Sequence, residues 1–382
     1  MVFQAQTDAE LSEKLSGIGR AFQIPGVLET FEEIKAGHIN RTFRADFRRK
    51  DGQGTASYLF QCVNTYVFKK PEQLMHNIAL VTEHLRSRMG EKPVLHYLYA
   101  GEGADRRNYL LTEDGFWRVC DYIPSVSFQT GGDLSVVRKA GQAFGDFQRV
   151  LADFDARALS ETIPQFHDTR KRFRDLKEAA EKDTAGRKAA VQNTLSWYLS
   201  MEDQACLLTD LLKTGRLPLR VTHNDTKINN ILFDPKTLEP LTIVDLDTVM
   251  PGLAGCDYGD AIRSAANRIP EDSRDLTQGG MDPAVFSAFT EGFLSATAGA
   301  LTEEELRTLP DACIAMTVEC GGRFLEDYLR GDVYFRTSRE GHNLDRARCQ
   351  MTLAKDMLLH LEEMRSVVRV NAEKYGQKDR LK

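Results

Sequence analysis

No run in this chain of 382 residues approaches the ~18 apolar residues that a membrane helix needs, so no spanning segment is expected. The opening stretch, MVFQAQTDAELSEK, lacks a basic region followed by an apolar one, so no signal peptide is expected either. Cysteine is sparse and without pattern. There are seven, an odd number with no C-x-x-C, which points away from a disulfide scaffold and towards reduced thiols in a cytoplasmic protein. An excess of positive charge is also missing. The formal net charge is -6, which argues against a nucleic-acid partner. It does not exclude an anionic small molecule, because a bound cation and local donors can reverse the sign of a site. Internal repeats and low-complexity linkers are absent too. What remains is an ordinary hydrophobic content of 42%, over a length that suggests two lobes rather than one core.

One stretch organises the rest: RVTHNDTKINNILFDPKTLEPLTIVDLDTVMP, residues 220–251. His223, Asp225, Lys227 and Asn230 fall within one tight turn. Residues 230–233 read as a short strand, Asp234-Pro235 as a turn, and residues 241–244 as a second strand ended by Asp245 and Asp247. Phosphoryl transfer needs a carboxylate to hold the reacting hydroxyl, and an Asp and an Asn to hold magnesium. The protein-kinase catalytic loop, H-R-D-x-x-x-x-N followed by a strand ending in the metal-binding Asp, has this spacing. Asp225 is thus the candidate base beside His223, Lys227 can meet the γ-phosphate, and Asn230 and Asp245 are the candidate magnesium ligands. The plainer account is a surface hairpin with turn-forming Asn and Asp; a lone H-x-D would favour it.

The chain in order predicts an α+β, two-lobed protein-kinase-like fold. A small antiparallel β-rich N-lobe (1–121) precedes a large, mainly helical C-lobe (122–382). A helix over 8–24 leads into a meander of strands at 31–35, 42–47 and 57–63. The first turn, Ala36 to Asn40, can lie over phosphates through backbone N–H groups and Gly37, although on one glycine alone an ordinary hairpin is the better account. A helix follows Pro71, then strands around Tyr97, at 109–111 and at 116–123. The backbone from Cys120 to Pro124, with Asp121 and Ile123, would be a hinge that contacts adenine. Beyond it come helices near 137–154, 170–182, 190–213, 283–298, 303–329 and 353–368. Asp257 and Asp260 are expected to cap a helix after the D-x-D and to steady the loop. His167 can reach a ligand, but capping or a structural hydrogen bond is the simpler use.

With these motifs in view, HNDTKINN followed by IVDLD resembles the aminoglycoside phosphotransferase and choline kinase superfamily. More narrowly, the chain is similar to the bacterial N-acetylhexosamine 1-kinases. The similarity runs through GHIN (37–40), NTYVF (64–68), AFGDFQ (143–148), FHDT (166–169), LRVTHNDTKINNIL (219–232), DLDTVMPG (245–252), RFLEDYLRGDVYF (323–335) and HNLDRAR (342–348). The resemblance implies transfer of the γ-phosphate of ATP to the anomeric hydroxyl of N-acetylglucosamine or N-acetylgalactosamine, giving the α-1-phosphate. It implies ATP and Mg2+ as cofactors, Asp225 as base on the C1 hydroxyl, and Asn230 with Asp245 on magnesium. Gly37, His38, Asn40 and Gln61 would serve the nucleotide. Arg323 and Tyr334 would meet the sugar. Arg323 has an alternative, a salt bridge to Glu326 or Asp327, and Tyr334 can be a packed aromatic.

One departure stands out. The third strand should offer a Lys paired with a helix Glu; here Gln61 and Asn77 stand at those places, a neutral pair in place of an ion pair. The expected partners are an amino sugar and ATP, with no nucleic acid or membrane, in a monomer or weak homodimer. Two other readings stay open: a kinase of another hydroxyl compound, such as an aminoglycoside or a choline-like acceptor, and a nucleotide-binding pseudokinase acting as an interaction module.

Overall fold

The computed structural model describes residues 7–35, 39–50, 52, 54–129 and 132–376. The chain forms two compact units. The turn residues Gly37 and His38 lie outside the described residues.

The smaller unit spans residues 1–125 together with two short excursions, 159–163 and 246–249. Its elements are α1 (Asp8–Ala21), β1 (Val27–Ile34), β2 (Arg41–Arg48), β3 (Thr55–Val63), α2 (Pro71–Arg88), β4 (Leu110–Thr112) and β5 (Gly115–Asp121). The strands make one antiparallel sheet in the order β1-β2-β3-β5-β4. Alternating residues of β2 and β3, Phe43, Ala45, Phe47 and Phe60, are buried with Leu11, Leu15 and Ile18 of α1, as the two-residue period of a half-buried sheet dictates. Tyr97, expected in a strand, makes only an isolated bridge to Cys120.

The larger unit holds the rest. Its helices are α3 (Leu134–Val150), α4 (Thr169–Lys182), α5 (Gln192–Ser200), α6 (Glu202–Lys213), α7 (Ala254–Ala265), α8 (Pro283–Thr297), α9 (Glu303–Arg330), α10 (His342–Leu359) and α11 (Leu361–Lys374). Two small ribbons complete it: β6 (Arg220–Thr222) with β9 (Met250–Gly252), and β7 (Ile231–Phe233) with β8 (Pro240–Ile243). Two stretches expected as single helices are each broken in two, at Met201 and at His360. Apolar periodicity continues across both breaks, so the pattern alone does not reveal them.

The helix α9 is the spine, capped at Thr302 by a reciprocal box with Glu305. Glycines let neighbours approach it and each other closely. A Cβ on Gly259 of α7 would sit 2.4 Å from the Ala312 carbonyl oxygen of α9, and one on Gly292 of α8 would sit 1.9 Å from the Arg138 carbonyl oxygen of α3. The first approach brings α7, and the two aspartates it carries, against the centre of the unit.

Candidate active site

Pairing of β6 with β9, Val221 opposite Pro251, sets where the chain leaves the ribbon and enters the loop. The loop turns at Asn224 with φ of 63°, a left-handed conformation that asparagine tolerates better than most residues. Its N–H groups cannot join a ladder and must be satisfied otherwise. Helix α7 does this. The N–H groups of His223 and Asn224 donate to Asp257 Oδ2 and Oδ1 at 2.9 and 2.8 Å, and that of Thr226 donates to Asp260 Oδ2 at 3.1 Å. Gln148 Nε2 from α3 adds a further bond to Asp257 Oδ2 at 2.9 Å. The steadying role expected of the two aspartates is therefore present, but the capping role is not. Leu253 occupies the N-cap of α7 without a side-chain bond, because both carboxylates turn to the loop.

His223 is fully buried, edge-on to the rings of Phe144 and Phe147. Its Nε2 lies 2.9 Å from the Val244 carbonyl oxygen, and its Nδ1 lies 3.3 Å from the Asp225 N–H. A carbonyl only accepts, so Nε2 carries the proton and Nδ1 receives the Asp225 N–H. This corrects the expectation that His223 stands among the reacting groups: a sealed imidazole braces the backbone of Asp225 and that of the strand before Asp245.

Asp225 itself is partly open. Lys227 Nζ lies 2.7 Å from its Oδ1. Asn230 Nδ2 donates to its carbonyl oxygen at 2.8 Å and to Oδ2 at 3.2 Å. The β7–β8 ladder pairs Ile231 with Ile243, and the Val244 N–H donates to the Asn230 carbonyl oxygen at 2.9 Å. Asp245 follows Val244 directly, two residues beyond the last pair of the ladder. It is exposed and left-handed, with φ of 61°. The structure brings Asp225, Lys227 and Asn230 together, and Asp245 follows the residue whose N–H bonds to Asn230.

Charge follows position. Burial lowers the pKa of the Lys227 ammonium, but the carboxylates of Asp225 and Asp260 outweigh it and hold the group above its ordinary value. Burial raises the pKa of Asp260, yet Arg263 and Lys227 hold it below the usual range. For Asp257 burial prevails and pushes the carboxyl up, against the opposing pull of His223 and of the His223 and Asn224 N–H groups.

Magnesium prefers oxygen ligands and usually keeps substrate phosphates and water among them. With Nδ2 committed to Asp225, Asn230 keeps its Oδ1 as an oxygen donor, and Asp245 supplies a carboxylate. That donor set fits magnesium. Among the described residues no cluster of three or more His, Cys, Asp or Glu is arranged to hold a metal.

The expected acceptor residues lie on and after α9. The salt bridge foreseen for Arg323 does not form. Glu326 pairs with Arg330 at 2.9 Å, and Asp327 accepts the N–H groups of Val333, Tyr334 and Phe335 at 2.8 to 2.9 Å. The Arg323 guanidinium instead lies over two rings, 5.3 Å from that of Phe166 and 5.5 Å from that of Phe335. Tyr334, on the loop that Asp327 secures, is 68% exposed, with its ring edge-on to that of Phe335 at 4.8 Å. His167 takes the structural use, with Nδ1 at 2.7 Å from Glu319 Oε1, and Asp168 caps α4.

In the smaller unit, the Gln61–Asn77 pair is not formed. Gln61 Oε1 accepts from Arg118 Nε at 2.9 Å and its Nε2 donates to Thr42. Asn77 Nδ2 donates to the carbonyl oxygens of Ser160 and Val249, and its Oδ1 accepts the Ser160 N–H. Asn40, expected at the nucleotide, spends its side chain on Asp247 and on the Asn64 N–H. Asp121 faces His96 at 2.9 Å, and the Ile123 carbonyl oxygen accepts from Ser125. Sequence reasoning missed Arg118. The signal was available: a single arginine in the middle of the apolar strand FWRVC demands a buried counter-charge.

A five-stranded antiparallel sheet on one unit and an Asp–Lys–Asn loop ahead of a ribbon on the other define a kinase-like phosphotransferase. The chain matches the phosphotransferase enzyme family model over residues 30–288 and belongs to that family. Among solved structures it is similar to a spectinomycin phosphotransferase in complex with ADP and spectinomycin, at 14% identity and a TM-score of 0.55, covering 94% of this chain and 99% of that one. It is similar also to choline kinase from Cryptosporidium parvum, at 15% identity and a TM-score of 0.55, covering 94% and 99%. A microcompartment-associated aminopropanol kinase gives 13% identity and a TM-score of 0.59, covering 92% and 98%. At these identities the likeness is one of fold.

Proposed function

We propose that the protein transfers the γ-phosphoryl group of ATP to the anomeric C1 hydroxyl of N-acetylglucosamine or N-acetylgalactosamine. The C1 oxygen forms a bond to phosphorus, the bond from the γ-phosphorus to the bridging oxygen breaks, and ADP leaves. Asp225 orients the hydroxyl and takes its proton late in the transfer. Lys227, kept charged by Asp225 and Asp260, faces the phosphoryl oxygens as their charge shifts. Magnesium, held by Asn230 and Asp245, supplies neutralisation of the phosphate charge. An anomeric hydroxyl is more acidic than an ordinary alcohol, so a carboxylate suffices as its base, and positioning with electrostatics carries the rate. The Ile123 N–H has no partner among the described residues, which suits it to an adenine nitrogen.

The observation that carries the acceptor reading is Arg323. A guanidinium held between two phenyl rings keeps its planar fork of donors for a carbonyl or hydroxyl oxygen, such as those of an acetamido sugar. A fixed cation there opposes a polycationic aminoglycoside, whose site should gather acids instead. Phosphate release to N-acetylglucosamine, N-acetylgalactosamine, an aminoglycoside panel and choline tests this; turnover of the cationic acceptors alone would exclude it. Arg323→Ala should raise the acceptor KM by about 10- to 150-fold, the worth of a charge-assisted hydrogen bond, with kcat little changed. A fall in thermal stability without a KM effect would reduce Arg323 to packing. Asp245→Ala should weaken magnesium-dependent ADP binding by about tenfold or more, or about 1.4 kcal/mol. Titration calorimetry with and without magnesium reads this, and an unchanged metal dependence counts against the ligand assignment.

A further inference from the structure

Glu271, on the connection between α7 and α8, has one carboxylate oxygen engaged and one idle. Oε1 accepts from Arg263 Nη1 at 2.7 Å and from Gln350 Nε2 of α10 at 3.2 Å. Oε2 has no partner among the described residues, and the side chain is 42% exposed. Arg263 beneath it is 7% exposed and gives Nε and Nη2 to Asp260 Oδ1 at 3.0 and 2.8 Å. A carboxylate fixed through one oxygen needs little further ordering to accept a hydrogen bond through the other.

The packing of α7 on α9 places this carboxylate. A Cβ on Gly259 would meet the Ala312 carbonyl oxygen and the Met316 side chain, and one turn further along each helix come Arg263 and Cys320. Cys320 is half-buried while the other six cysteines are buried, so α9 is open at this level. Arg323 follows three residues on, at a neighbouring place on the helix surface. Burial pushes the Cys320 thiol up to about 11, and the charges of Arg263, Glu271, Arg323 and Asp260 all act on it. Asp260 acts also on Lys227, the partner of Asp225. Glu271 therefore reaches the opening at Cys320 from the α7–α8 connection, and Arg323 reaches it from α9.

We propose that Glu271 binds the acceptor, taking hydroxyl hydrogens of the sugar on Oε2 while Arg323 donates to its carbonyl or hydroxyl oxygens. The inference rests on the kinase reading above and extends it. A carboxylate only accepts and a guanidinium only donates, so the two together match a neutral molecule rich in hydroxyls. Arg263 balances the charge of Glu271, so the carboxylate adds no net pull on a polycation. Steady-state rates with N-acetylglucosamine, and with analogues lacking the hydroxyl at C3, C4 or C6, test this. Glu271→Ala should raise the acceptor KM about 10- to 150-fold, with kcat and Mg-ADP affinity nearly unchanged. Glu271→Gln keeps an oxygen acceptor and should recover part of the loss. One analogue should bind the wild type as poorly as the full sugar binds Glu271→Ala, and should lose nothing further in that variant. An unchanged KM in Glu271→Ala overturns the proposal, as does a fall in kcat and melting temperature at constant KM, or equal discrimination among the analogues by variant and wild type. Turnover of neither acetamido sugar by the wild type overturns the acceptor reading instead. The same variants, assayed on the acceptor that is turned over, then decide whether Glu271 binds it.

Discussion

Asp225→Asn should lower kcat by about 10³-fold, within the range a positioned general base contributes, while Mg-ADP affinity stays near that of wild type. The substitution keeps the shape of the side chain and removes its negative charge. Lys227 loses its 2.7 Å partner and retains only Asp260, and the Asn230 Nδ2 contact at Oδ2 meets a group that can no longer be a carboxylate. The C1 hydroxyl then has no base to receive its proton as the phosphorus–oxygen bond forms. Stability should barely change. Asp225 and Lys227 are 30% and 43% exposed, and exposed pairs are worth about 0–1 kcal/mol. A large loss of kcat with a small change in melting temperature separates a reacting group from a structural one; turnover close to wild type would refute the base assignment.

Asp257→Ala should produce the opposite profile, a loss of both stability and turnover. Its carboxylate receives the N–H groups of His223 and Asn224 and the Gln148 amide, all buried. Without it these donors lose this acceptor, Gln148 keeping only the Val221 carbonyl oxygen, at about 1–3 kcal/mol for each group left unsatisfied, reduced where the site relaxes. A net loss of about 3–5 kcal/mol, the range for breaking a buried charged network, should lower the melting temperature by roughly 5 °C. The loop that presents Asp225 would lose its anchor, so kcat should fall as well. Asp257→Asn keeps one acceptor oxygen and sheds the cost of a buried charge, so it should lie between the two. Thermal unfolding and steady-state rates on the same samples read both effects. Full stability in the alanine variant would show that the loop holds itself.

The sequence carried the architecture and the order of the site because both depend on local signals. Period-two burial in β2 and β3, the helix after Pro71, and the H-x-D-x-x-x-x-N spacing are all readable from neighbours along the chain. What escaped was pairing across long separations. Asn77 looked like a partner for Gln61 by analogy of position, but it bonds to Ser160 and Val249, and no spacing rule announces that. Asp257 and Asp260 looked like helix caps because capping is the usual use of an aspartate near a helix start. The unsatisfied N–H groups of a loop more than thirty residues away drew them elsewhere. Arg323 has two acids three and four residues on, the usual spacing for a helical pair. Arg330 and the loop after α9 claimed those acids first and left its guanidinium between Phe166 and Phe335.

The most direct measurement follows phosphorus by nuclear magnetic resonance, in a mixture of the protein, ATP, magnesium and N-acetylglucosamine. The account predicts that the γ-phosphate signal decays as that of a sugar α-1-phosphate grows, coupled to the anomeric proton, with ADP formed in equal amount and no transfer by Asp225→Asn. Phosphate attached at another carbon of the sugar, or ATP left intact with this sugar and its C4 epimer while a choline-like or aminoglycoside acceptor is turned over, would contradict it.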